Sequence, residues 1–133
     1  MSVNIQYRDL KAKQDQKSVS ADTTLTYSDS GKTILLDATG EQITLPTVKA
    51  GIKYKFLCQV TTAVSNWTII NGNDVVYGSV DVNSTRVDCS AKDIITLVVA
   101  KFLPGDWISL ESDGTNWYID GSVFTAAGVT FTT

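Results

Sequence analysis

The sequence predicts an all-β protein: an antiparallel β-sandwich or barrel, jelly-roll-like, with a polar N-terminal arm. Three observations carry that expectation. Short β-type runs recur about every ten residues between turn residues. KYKFLCQV (53–60) alternates strictly, with Tyr54, Phe56, Cys58 and Val60 on one face and Lys53, Lys55, Leu57 and Gln59 on the other. GDWISLESDGTNWYIDG (105–121) reads as a hairpin about Asp113-Gly114. No internal repeat of the solenoid kind interrupts the pattern.

The 133 residues divide into a 1–22 arm, extended or a short helix, and a single β-domain over 23–133. The arm is polar, and its Arg8, Lys11, Lys13 and Lys17 outnumber Asp9, Asp15 and Asp22, while the body carries the acidic excess. Such a terminus orders when something ties it down. Within the domain, TLTY (24–27), TILLD (33–37) and EQITL (41–45) read as strands, the last ended by Pro46, which cannot donate to a central ladder. NWTII (66–70) and DVVYG (74–78) flank Asn71-Gly72, a hairpin signal because both residues tolerate positive φ. STRVDCS (84–90) follows, then DIITLVVAKFL (93–103), apolar enough for a sheet centre, and GVTFTT (128–133) closes the chain.

In the 106–120 hairpin a turn centred on Asp113-Gly114 sets Leu110 opposite Trp117 and Ile108 opposite Ile119. Those four residues form one apolar face and assign Trp117 to the core. Trp107 and Tyr118 are left on the opposite face, diagonally near each other. There they can stack on a sugar or meet a neighbouring subunit.

Composition removes most catalytic chemistry. The chain has no histidine, which excludes Ser-His and Cys-His pairs and imidazole ligands. Two cysteines cannot make a four-cysteine zinc site, and no glycine-rich phosphate loop occurs. The expectation is a non-enzyme with no catalytic residue, cofactor or metal. Asn71, Asn73 and Asp74 read as a solvated turn rather than a calcium loop. A net charge of -3 argues against nucleic acid, and no apolar run is long enough to span a bilayer. The first 17 residues contain no apolar h-region, so a secretory signal is not expected. Cys58 and Cys89 are accordingly read as buried thiols, and Asn66-Trp67-Thr68 and Asn83-Ser84-Thr85 as chance glycosylation matches.

The strings TLTYSDSGKTILLDATGEQITLPTVKAGIKYKF, SNWTIING and GDWISLESDGTNWYIDG together resemble a module of virion structural proteins in tailed bacteriophages and large DNA viruses. The matching positions are Asp29 to Thr33, Ile43 to Pro46, Gly51, Tyr54, Phe56, Trp67 and Gly105 to Gly121. The resemblance implies a compact, commonly trimeric β-domain on a capsid surface or fibre. It implies a small capsid-surface decoration (cement) or minor capsid protein, made in the host cytoplasm and carried on the virion. Its expected partners are itself, as a homotrimer, and the major capsid protein, without nucleic acid or membrane. The arm residues Tyr7, Arg8, Leu10, Lys11 and Lys13 are the expected docking contacts. The alternative is a fibre knob or host-attachment module that binds cell-surface glycan through Trp107 and Tyr118. In either case Ile108, Leu110, Asp113, Gly114, Trp117 and Ile119 make the hairpin that closes the fold.

Overall fold

A computed structural model describes residues 15–37, 39–61, 63–73 and 75–133. The elements are β1 (Gln16–Val19), β2 (Thr23–Thr24), a 3-10 turn (Tyr27–Asp29), β3 (Thr33–Leu36), β4 (Gln42–Thr44), β5 (Lys53–Cys58), β6 (Trp67–Ile70), β7 (Val76–Val82), β8 (Thr85–Lys92), β9 (Ile94–Leu97), β10 (Trp107–Ser112), β11 (Trp117–Val123) and β12 (Val129–Thr132). They form two mixed sheets packed face to face as a β-sandwich. One has the order β1-β3-β5-β10-β11-β7-β8, the other β12-β9-β6-β4-β2.

From β1 to β7 successive strands alternate between the two sheets. A hairpin reverses the chain within one sheet, whereas two crossings over the sandwich return it in the same direction. Hence β1, β3 and β5 run parallel in one sheet, and β2, β4 and β6 run parallel in the other. The expected all-antiparallel pairing therefore fails in this half of the chain. Each strand in the opposite sheet serves as the crossover that parallel neighbours require.

The same winding corrects the reading of Asn71-Gly72. The residues do turn the chain, with the Asn71 side chain accepting from the Asn73 N–H at 3.0 Å. They join β6 of one sheet to β7 of the other, however, rather than two hydrogen-bonded strands. The 24–27 run is also shorter than expected, because Tyr27 opens the 3-10 turn. Of the apolar 93–103 run only Ile94–Leu97 is strand, and it lies second from an edge.

The expected 1–22 arm is partly sheet. β1 adds to the edge of the larger sheet, pairing Gln16 with Thr33 and Val19 with Leu36. Its sequence, QKSV, hides this role because an edge strand has little apolar surface to bury. Buried Asp29 pins it. Burial alone would raise the Asp29 carboxyl. The Thr26 N–H and the ammonium groups of Lys17 and Lys32, at 3.2 and 3.3 Å, outweigh that and lower it to about 2. Tyr7, Arg8, Leu10, Lys11 and Lys13 lie outside the described residues.

Period two decides the core. Tyr54, Phe56 and Cys58 point inward as expected, against Ile43, Trp67, Ile69, Ile95 and Leu97 from the other sheet, all essentially inaccessible. Trp117 stacks on Tyr54 with ring centroids 5.9 Å apart and planes at 29°. Trp67 meets Phe102 edge-on at 6.1 Å, and its Nε1 donates to the Asp37 carbonyl at 3.1 Å. Cys58 and Cys89 are free, buried thiols. They sit on β5 and β8, with β10, β11 and β7 between them.

Two outcomes test this packing. Trp117→Ala should lower unfolding free energy by about 3–5 kcal/mol. Trp117→Phe should cost far less, because the buried Trp117 Nε1 has no acceptor to lose among the described residues. Denaturant melts of the two variants check the ordering. For Asp29, the depressed carboxyl contributes stability that is present above its ordinary value of 3.8 and is lost as pH falls towards about 2. Asp29→Asn should thus cost on the order of 2 kcal/mol at pH 7 and flatten that acid limb. A pH series of thermal melts reads both.

Candidate functional site

The β10–β11 hairpin sits in the middle of the larger sheet, antiparallel to β5 on one side and parallel to β7 on the other. Its inward face is the expected one: Ile108, Leu110, Trp117 and Ile119 are all buried. The register differs by two. Leu110 pairs with Ile119, Ser112 with Trp117, and Ile108 with Gly121. The cause is Asp113, whose Oδ1 accepts from the Thr115 and Asn116 N–H groups at 2.8 Å each. Its own N–H donates to the Asn116 carbonyl, so the loop spans 113–116 and is centred one residue later. A shift of two preserves the faces, which is why the core assignment stands. The same backbone donors, with the Tyr118 hydroxyl, hold the Asp113 carboxyl below its usual value.

The register separates the two outward aromatics. Trp107 stands opposite Ser122, whereas Tyr118 stands opposite Glu111. From 107 to 111 the strand rises about 13 Å, so they form no common stacking surface. Tyr118 is exposed, donates its hydroxyl to Asp113 Oδ2 at 2.9 Å, and lies in register with exposed Tyr77 of β7. Trp107 is half-buried, with the Lys55 ammonium 5.1 Å from its ring centroid.

Trp107 belongs to a different constellation. One row of paired residues crosses the whole outer face: Ser18, Leu35, Leu57, Trp107, Ser122, Asp81 and Arg86. Its consecutive members Leu35, Leu57 and Trp107 are only half-buried, on a face where alternation calls for polar side chains. Charge varies from strand to strand across the sheet, and Glu111 of β10 stands opposite Lys53. Lys53 and Lys55 lie on β5, while Asp120, Asp81 and Asp88 lie on β11, β7 and β8, with Arg86 held to Asp88 at 2.6 Å. The outer face thus has an apolar stretch over β3, β5 and β10 that shares β5 with two lysines, followed by Asp120 and Asp81 on β11 and β7.

Residue patterns alone missed Phe124. It follows β11, is 78% exposed, and borders a cleft of about 550 Å³ with Leu103, Pro104, Gly105, Asp106 and Ser122. Buried Asp106 builds the cleft, its Oδ2 accepting from the Leu103 N–H at 2.7 Å and its Oδ1 from the Phe124 N–H at 3.1 Å. The loop has no period to betray it; the only signal was an aromatic residue among small ones in SVFTAAG.

The arrangement suits binding through a face. Burial raises both thiols, Cys89 to about 11, which disfavours a thiolate nucleophile. Among the described residues no group of three or more His, Cys, Asp or Glu side chains could hold a metal ion. The Asn66 side chain of the first glycosylation match is engaged, accepting from the Val99 N–H at 2.7 Å. No protein-family model matches this sequence, and the comparisons with curated proteins and with solved structures return no match.

Proposed function

We propose that the protein is a virion structural protein: a small capsid-surface decoration protein that assembles as a homotrimer and docks on the major capsid protein through its N-terminal arm. The observation that carries this reading is the outer face of the seven-stranded sheet. Leu35, Leu57 and Trp107, on β3, β5 and β10, share one half of that face with Lys53 and Lys55 of β5, while Asp120 and Asp81 lie on β11 and β7 in the other half. Three copies that turn this face to a common threefold axis set the β5 lysines and apolar stretch of each copy against Asp120 and Asp81 of the next. The SDGTNWY-type string supports the same reading, since in this fold it is the hairpin at the centre of that sheet.

Docking then belongs to the part of the arm before β1. With Gln16–Val19 in the sheet, the segment available for the shell shortens from 1–22 to residues 1–15. The alternative glycan-binding knob draws less support, because Trp107 and Tyr118 do not converge.

Assembly and docking are separable by experiment. The full chain should run as a trimer in light scattering. Lys53→Glu with Lys55→Glu should give monomers, as should Asp81→Lys with Asp120→Lys, and mixing the two variants should restore oligomers. Deletion of residues 1–14 should leave the trimer intact and abolish co-sedimentation with undecorated shells. A truncated protein that still decorates shells fully would remove the docking role of the arm. Trimers indifferent to both charge reversals would remove the assembly face.

A further inference from the structure

The loop from β3 to β4 holds two carboxyl groups with too few hydrogens between them. Glu41 is 3% exposed, and its Oε2 has no donor among the described residues. The Thr39 N–H and Oγ1 both contact Asp37 Oδ1, at 3.0 and 2.8 Å, and the same Oγ1 also contacts Glu41 Oε1. A hydroxyl carries one hydrogen and cannot donate to both carboxylates. If the Thr39 hydroxyl donates to Asp37 Oδ1, its contact with Glu41 Oε1 is a hydrogen bond only when a protonated Glu41 donates. No ion pair reaches either group among the described residues.

The surroundings supply no compensating charge. Asp22, ahead of β2, accepts from the Gln42 N–H at 2.8 Å and adds a further negative group. On the β6 side Ser65 and Trp67 are neutral. The Ser65 hydroxyl bonds the Thr39 and Gly40 carbonyls at 2.9 and 3.3 Å, and Trp67 bonds that of Asp37. These loop carbonyls are therefore already engaged. Gly40, at φ +75°, lies so close that a Cβ there would fall 2.3 Å from the Ser65 carbonyl oxygen.

We propose that folded Glu41 holds a proton and donates it to the Thr39 hydroxyl, which donates in turn to Asp37, latching this loop against the 65–67 segment. Glu41 is the member that holds the proton because it is the buried one, whereas Asp37 is half-buried and receives the Thr39 N–H. Burial first, then the neighbouring Asp37, raises the Glu41 carboxyl, while the interaction with Glu41 is the main cause that lowers Asp37. The raised Glu41 contributes stability that is complete below its ordinary value of 4.5 and is lost as pH rises through its folded value. The lowered Asp37 contributes stability above 3.8 that is lost as pH falls through its folded value. The latch is tightest between those limits and loosens on the alkaline side.

Glu41 and Glu111 are the chain's two glutamates, so protein labelled with ¹³C at the glutamate carboxyl gives two signals, assigned with Glu111→Gln. In a pH titration by NMR the Glu41 carbon should stay in its protonated form well above pH 4.5. Glu41→Gln should abolish the fall in Tm that the unmodified protein shows on the alkaline flank. A Glu41 carbon that titrates at or below the ordinary value overturns the proposal. So does calcium chloride that shifts the Glu41 signal at neutral pH and raises Tm only while Glu41 is present, which would make the site a cation site. If Glu41→Gln fails to fold, the labelled unmodified chain decides alone.

Discussion

Everything in the larger sheet depends on one insertion. The winding that makes β1, β3 and β5 parallel ends with β5, and β7 resumes further along the same sheet with β8 beyond it. Between β5 and β7 there is a gap two strands wide. The β10–β11 hairpin fills it, joining β5 by an antiparallel ladder and β7 by a parallel one. Its inward side chains complete the core between the two halves, with Trp117 against Tyr54 of β5. Gly78 permits the parallel junction: at φ +124° it brings β7 so near that a Cβ would stand 2.5 Å from the Ile119 carbonyl oxygen. The burial gained by this wedge is non-local, since segments far apart in sequence must meet before it is realised.

The insertion also creates the outer face. Leu35 and Leu57 reach Trp107 only because β10 lies beside β5, and Asp81 of β7 comes within the same row only because β11 follows. An apolar row kept half-covered on an outer sheet face is explained economically by a second surface that completes its burial. Lys55 already shields part of the Trp107 ring, which lets the free chain tolerate the row. The proposed trimer draws its specificity from the charges on β5, β11 and β7 and its area from the apolar stretch of the row.

Local chemistry was legible in the sequence, and long-range pairing was not. Strict alternation at 53–58 identified the buried face of β5 because a half-buried strand has no other pattern. The faces of β10 and β11 were legible for the same reason, while their register was not, because the Asp113 side chain and not the Asp-Gly pair sets the loop. Asn71-Gly72 signalled a turn truthfully, but a turn does not reveal which sheet the chain enters next. β1 carries its information in Lys17, whose partner Asp29 cannot be chosen from spacing. For the candidate site, Trp107 was correctly left outside the core, yet its row with Leu57 and Leu35 required the order of the strands. Phe124 and the Asp37–Glu41 pair are made by loop geometry, which leaves no period to read.

The central claim is that copies of this chain meet through the outer face of the seven-stranded sheet. Hydroxyl-radical footprinting of the full chain, at concentrations above and below association, tests it most directly. Association should protect Leu35, Leu57 and Trp107 and leave Val64 and Phe124, exposed at the loops, as reactive as before. Protection of Val64 and Phe124, with the outer row unchanged, would contradict it.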